Sequence, residues 1–125
     1  MILGLGVDFL ETSRVERELS WGEWLLEDGI FTAGEISYCR ASNRPARRYA
    51  AYFAAKEAIL KALGVQVSDL AMFREIEIGP GISPGYKVTL SDRLKAKSEQ
   101  LGVRRIELSI AHKANQTGAF VILEN

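Results

Sequence analysis

The chain is poor in several things that define protein classes. It has one cysteine, Cys39, so no disulfide can form within it, and a small domain without disulfides suits a reducing compartment. That places the chain, as an expectation, in the cytoplasm. No apolar run approaches the roughly 20 residues needed to span a bilayer, and the opening MILGLGVDF lacks the basic start and long apolar stretch of an export signal. Net charge is zero, with 16 basic and 16 acidic side chains, which argues against coating nucleic acid or an anionic membrane. Low-complexity tracts and internal repeats are absent too.

What remains is ordinary for a folded domain. The 125 residues are 47% apolar and 26% charged, enough for one hydrophobic core, so residues 1–125 are expected to form a single domain. The charge is not evenly spread. Residues 1–36 hold eight acidic and two basic side chains, whereas 37–125 hold eight acidic and fourteen basic. Within the second part Arg40, Arg44, Arg47, Arg48, Lys56 and Lys61 are opposed only by Glu57, a segment suited to a small polyanion.

Ile2 to Phe9 reads as a strand with Leu3, Leu5, Val7 and Phe9 on one face and Ile2, Gly4, Gly6 and Asp8 on the other. The two glycines let another element approach closely and leave room beside Asp8. Ser13 followed by Glu16 predicts a capping box opening a helix through Val15, Leu19, Leu25 and Leu26 to about Gly29. Thr32 with Glu35 predicts a second helix over 31–40. Pro45 opens a long helix, alanine-rich from Ala46 to Leu63 and stopped by Gly64.

Beyond it, short strands are expected at 75–78 and 86–90, and a helix at 92–101 between Ser91 as cap and Gly102 as stop. A hairpin follows, with strand 104–111, turn 112–116 and strand 117–123. Helices early and strands late predict an α+β fold, a long helix packed on an antiparallel sheet.

On the long helix Glu57 and Lys61 lie one turn apart, a spacing that also serves as an ordinary helix-stabilising pair worth about 0.2–0.5 kcal/mol. The surrounding Ala50, Ala51, Ala54, Ala55, Ala58 and Ala62 let this helix pack closely against a strand. If that strand is the one bearing Gly4 and Gly6, Asp8 and Glu57 come within the span of one hard dication. Magnesium suits two carboxylates, because it keeps octahedral positions for water and phosphate oxygens.

The segments GLGVDFLETSRVE, FTAGEISYCR, YFAAKEAILKALG and ELSIAHKANQTGAFVI, in that order, resemble the holo-acyl-carrier-protein synthase family, the small 4'-phosphopantetheinyl transferases. The most specific part is Gly-Val-Asp at 6–8 together with Lys-Glu-Ala at 56–58 and Lys61. The resemblance implies transfer of the 4'-phosphopantetheine arm from coenzyme A to a serine of an apo acyl carrier protein, in a homotrimer with active sites between subunits. It assigns magnesium to Asp8 and Glu57, the coenzyme A pyrophosphate to Lys61, and a further coenzyme A contact to Gly64. The serine proton goes to Glu57 or to a metal-bound water that Glu57 orients.

The same resemblance gives Arg44, Arg47 and Arg48 to the 3'-phosphate and His112 to the nucleotide end. In that arrangement the basic residues of 44–48 reach across from a neighbouring subunit. Arg14 and Arg17 face the acidic carrier protein. Read without it, the three arginines are a solvated helix start, the histidine a hydrogen-bonded strand-end residue, and Arg14 and Arg17 partners of Glu18 or Glu11. Cys39 reads as a small buried apolar residue, and Trp21, Trp24, Phe31 and Tyr38 as core or interface.

Departures from the family pattern lie toward the nucleotide end. Tyr52 stands for an arginine, Tyr86 stands near a usual proline, Ala111 replaces a serine, and the loop after Gly64 lacks a Thr-Gly start. Two other readings accommodate the same residues: a non-catalytic relative that binds carrier protein or nucleotide, and a magnesium-dependent phosphohydrolase.

Overall fold

The computed structural model describes residues 1–21, 29–82 and 85–125. Its elements run β1 (Ile2–Glu11), α1 (Thr12–Trp21), α2 (Ala33–Arg40), α3 (Pro45–Leu63), a 3-10 turn (Leu70–Glu75), β2 (Ile76–Pro80), β3 (Tyr86–Leu90), α4 (Asp92–Leu101), β4 (Arg105–Lys113) and β5 (Gln116–Glu124). The fold is α+β. Helix α3 packs on an antiparallel sheet of order β1-β5-β4, and β2 and β3 form a separate antiparallel ribbon. Among the described residues no helix is long and apolar enough to cross a membrane.

The glycine face of β1 meets the alanine face of α3. A methyl group on Gly4 would lie 2.3 Å from the Ala62 carbonyl oxygen, and one on Gly6 would lie 1.9 Å from that of Ala58. Strand and helix therefore touch backbone to backbone, which no larger residue at either position permits. Ala50, Ala54, Ala55 and Ala58 are fully buried, and Tyr49, Ile59, Leu60 and Leu63 carry the apolar contact onward to Ile76, Leu94 and Val121. Pro45 occupies the first turn of α3, and Gly64 ends it in the left-handed region at φ 71°.

The opposite face of β1 faces outward. Leu5 is 64% exposed and Phe9 58%, with Val7 and Phe120 exposed beside them. The Phe9 ring lies edge-on to Phe120 at 5.6 Å and crosses Gly118, where a side chain would collide with it.

Helix α2 begins as expected: Thr32 caps it, and Glu35 accepts a hydrogen bond from the Thr32 N–H at 2.9 Å. Helix α1 does not. It follows β1 directly at Thr12, so Ser13 lies inside it, and the Ser13 N–H donates to Asn115 Oδ1 at 2.8 Å while Asn115 Nδ2 donates to Ser13 Oγ at 2.7 Å. The β4–β5 turn thus supplies the cap that the local Ser13–Glu16 pattern was expected to give. The expectations for Trp24, Leu25 and Leu26, for the Trp21 side chain and for a helix end near Gly29 rest on residues outside those described.

Two other local expectations shift. Strand β2 starts at Ile76 instead of residue 75, because Glu75 closes the 3-10 turn and its carboxylate accepts the Leu94 N–H at 3.1 Å. That carboxylate, and not the Ser91 hydroxyl, caps α4. In the hairpin, His112 and Lys113 pair with Thr117 and Gln116, so His112 belongs to β4 and the turn contains only Ala114 and Asn115.

Candidate functional site

Asp8 follows Gly6 on the inner face of β1, two residues on, and Glu57 precedes Ala58 on α3, so the glycine–alanine contact brings the two carboxyl groups together. Both line one small cavity of about 80 Å³ with Phe9, Leu10, Arg14, Val15, Glu18 and Phe53. Glu57 is half-buried and its pKa is pushed up to about 7, first by burial and then by its hydrogen bond with Asp8 and that residue's charge; Lys61 and Arg14 pull the other way. Two carboxyls this close in partly apolar surroundings cannot both ionise freely without a cation.

Lys61 supplies part of that charge. Its ammonium lies 2.7 Å from Asp8 Oδ1 and donates to the Val7 carbonyl at 3.2 Å. The ordinary pairing of Glu57 with Lys61 along the helix is therefore not what forms. Lys61 reaches a carboxylate on a different element, and the hydrogen bond to Asp8 holds its ammonium above the usual lysine range.

The donor set at this cavity fits a magnesium ion. It is all oxygen, and it brings together the carboxyl groups of Asp8 and Glu57, whose mutual repulsion, with burial, raises the Glu57 pKa, a penalty that a bound cation would relieve. Among the described residues no group of three or more His, Cys, Asp or Glu gathers anywhere. Two protein carboxylates are the number with which magnesium is usually held, the remaining positions staying with water and phosphate.

The basic residues meet elsewhere. A cleft of about 560 Å³ is lined by Arg44, Arg47, Arg48 and His112 with Tyr38, Tyr52 and Tyr86. Arg44, Arg47 and His112 also border an adjoining cleft with Thr12, Glu16, Lys113 and Asn115. Among the described residues none lines both these clefts and the Asp8–Glu57 cavity.

The three arginines differ in how they are held. Arg48 donates to the Tyr38 carbonyl at 2.8 Å and stacks on its ring at 4.0 Å, whereas the guanidinium groups of Arg44 and Arg47 have no hydrogen-bond or ion-pair partner among the described residues. His112 contacts Thr117 Oγ1 through Nδ1 at 3.1 Å. Burial, with Arg47 and Arg44 nearby, lowers its pKa and keeps it neutral at pH 7.

Gly64 closes α3 with its N–H donating to the Leu60 and Lys61 carbonyls, and its left-handed backbone faces open space. Arg14 pairs with Glu18 at 3.4 Å on the rim of the carboxylate cavity, and Arg17 is exposed on the same helix. Cys39 is fully buried, and burial, with Glu35 nearby, pushes its thiol up to about 12.

On the sequence alone Lys56 belongs with the basic surface, and the structure corrects this. Its ammonium is completely buried, 2.6 Å from Glu35 Oε1, and donates to the Ile30 and Phe73 carbonyls at 2.9 Å each. Glu35 in turn accepts the Ile78 N–H at 2.8 Å. The signal was present: Lys56 shares a helix stripe with Tyr49, Tyr52, Ile59 and Leu63, so it points where the core lies. Also unforeseen was the Tyr52 hydroxyl, which is buried without a hydrogen-bond partner among the described residues while its ring lies parallel to that of Tyr38 at 6.0 Å.

Comparison with known proteins converges on one family. The model of the 4'-phosphopantetheinyl transferase superfamily matches residues 4–117. The chain is 38% identical over 124 residues to the holo-[acyl-carrier-protein] synthase of Geobacter sp. (strain M21), covering 99% of each chain. It is 36% identical to that of Moorella thermoacetica, covering 99% of this chain and 95% of the relative. Among solved structures, the holo-[acyl-carrier-protein] synthase of Neisseria meningitidis superimposes with a TM-score of 0.87 at 29% identity, each chain covered completely. The Bacillus anthracis synthase, solved in complex with CoA (3',5'-ADP), gives 0.75 at 26% identity over 98% of this chain and 96% of that one.

Proposed function

The chain belongs to the holo-acyl-carrier-protein synthases of the 4'-phosphopantetheinyl transferase superfamily, and on that premise we propose that it moves the 4'-phosphopantetheine arm of coenzyme A onto a serine of an apo acyl carrier protein. A bond forms between the serine oxygen and the phosphorus that bears the pantetheine arm. The pyrophosphate bond on its far side breaks, the serine gives up its proton, and adenosine 3',5'-bisphosphate departs. Catalysis of such a transfer is chiefly alignment and charge neutralisation.

The observation that carries this reading is the meeting of Asp8 and Glu57 across the glycine–alanine contact. These two residues would hold magnesium, which when bound neutralises charge on the pyrophosphate. Lys61, tethered to Asp8 and to the Val7 carbonyl, places a further positive charge at the same cavity, toward the departing phosphate. Glu57, directly or through a water that it orients, receives the serine proton.

Arg44 and Arg47, whose guanidinium groups have no partner among the described residues, bind the 3'-phosphate; Arg48 orders the cleft wall, and neutral His112 and the open turn at Gly64 complete the coenzyme A contacts. Arg14 and Arg17 on α1 meet the acidic carrier protein. A homotrimer is part of the proposal. The outward apolar face of Leu5, Val7, Phe9 and Phe120 supports it, since burying that patch against other copies removes exposed aromatic surface from water. The separation of the basic cleft from the carboxylate cavity agrees with a site completed between subunits.

Incubation with coenzyme A, magnesium and an apo carrier protein, read by intact mass, tests the function. A phosphopantetheine gain on the carrier supports it. Binding without a gain identifies a non-catalytic relative, and coenzyme A cleavage without attachment a phosphohydrolase. Glu57→Gln is expected to abolish the metal-dependent gain with the fold retained.

A further inference from the structure

The start of α1 is poorly supported by its own sequence and is held from a distance. The helix follows β1 without a break, its first turn contains no acidic side chain, and Arg14 places a cation there, where the helix dipole disfavours one. What holds it is the two-residue β4–β5 turn. The Thr12 N–H donates to the Asn115 carbonyl at 2.9 Å, the Ser13 N–H donates to Asn115 Oδ1 at 2.8 Å, and Asn115 Nδ2 donates to Ser13 Oγ at 2.7 Å. Both ends of the Asn115 carboxamide are thus committed to the first turn of α1. A second tie lies beside them: the Thr12 hydroxyl is 2.8 Å from that of Thr117, which is wholly buried in β5.

The turn itself is strained. Ala114, one residue before Asn115, has φ 52°, in the left-handed range that favours glycine. Such a backbone persists where the bonds around it over-determine it, and outliers of this kind gather where a side chain must be aimed. Arg14 follows Ser13 directly and lines the Asp8–Glu57 cavity, and Arg17 is exposed one turn further along the same helix. From the strained turn and its bonds to α1, and resting on the reading of α1 as the carrier-facing helix, we propose that Asn115 is a positioning residue for the carrier protein. It touches neither substrate; it fixes the first turn of α1 and with it the place of Arg14 beside the two carboxyl groups. A carrier then meets a helix start already in order, and its docking energy is not diverted into ordering one.

Calorimetric titration of the full chain with apo acyl carrier protein, without coenzyme A, tests this. Asn115→Ala should bind about tenfold more weakly, and Asn115→Asp, whose carboxylate still accepts the Ser13 N–H, within about threefold of the unaltered chain. In turnover, Asn115→Ala should raise the KM for the carrier while kcat and the KM for coenzyme A stay within about twofold. Hydrogen exchange reads the positioning directly: the Ser13 amide should exchange at least about tenfold faster in Asn115→Ala and not in Asn115→Asp, with the β5 amides equally protected in all three chains. Equal carrier affinity of Asn115→Ala, equal losses in both variants, a matching rise in the coenzyme A constant, or an unchanged Ser13 exchange rate would each overturn the proposal. If Arg14→Ala leaves carrier affinity intact, it is the carrier-facing reading of α1 that fails, and the proposal fails with it.

Discussion

Gly6→Ala is the sharpest perturbation of the site, although residue 6 touches no substrate. The added methyl would meet the Ala58 carbonyl oxygen at 1.9 Å, its carbon at 2.8 Å and the Ala62 nitrogen at 3.0 Å. All three are helix backbone, so no rotamer change relieves them. Restoring ordinary contact at 3.4 Å requires β1 and α3 to part by about 1.5 Å. Overpacking of this kind costs about 1–3 kcal/mol, and obstacles that cannot rotate away place the loss toward the upper end.

The same displacement separates Asp8 from Glu57, since each lies within two residues of the collision. A misplacement of about 1 Å costs roughly 100-fold in rate. Equilibrium urea unfolding followed by circular dichroism gives the first number, and the initial rate of mass gain on a carrier protein gives the second. Gly79→Ala is the control: nothing lies within 4 Å of that methyl, and stability should change by less than about 0.5 kcal/mol. A Gly6→Ala chain with the stability of the control and full activity would refute the backbone contact and the site built on it.

Tyr52→Phe should raise stability by about 1 kcal/mol in urea unfolding, because it deletes a buried hydroxyl without a partner while keeping the ring on Tyr38; a loss would show that the hydroxyl is bonded. Lys56→Met leaves the Glu35 carboxylate buried without its cation and should cost about 3–5 kcal/mol by the same measurement. A change under about 1 kcal/mol would refute the buried ion pair. Without divalent cation, Glu57 holds its proton more tightly folded than unfolded. Its contribution to stability is therefore complete below the usual glutamate range and fades as pH rises through about 7. The melting temperature should fall over that window, magnesium should restore it at about pH 8, above the raised value, and Glu57→Gln should remove this component of the fall.

The parts of the structure legible from the residues are those where near neighbours decide. The bare Gly4–Gly6 face and the alanine stripe of α3 announced their contact, because only small residues allow it, and from that contact the Asp8–Glu57 pair followed. Thr32 and Glu35 announced α2 for the same local reason. The misread positions are those where a distant group wins. Asn115, 102 positions away along the chain, takes the start of α1 from Ser13, and Glu75 takes the start of α4 from Ser91. Lys56 looked like surface charge because its partner Glu35 already had a local role as a capping residue, and nothing nearby shows that one carboxylate serves both. The clustering of Tyr38, Tyr52 and Tyr86 is likewise assembled from three separate elements.

The double tether of Lys61 has a consequence for how the site waits between turnovers. With its ammonium fastened to both Asp8 and a strand carbonyl, the resting chain carries its own counterion, and the acids need not scatter when no dication is present. On the proposed function, loading of a dication would amount to exchanging one cation for another at an address already built, while the lysine keeps its backbone anchor and stays at hand.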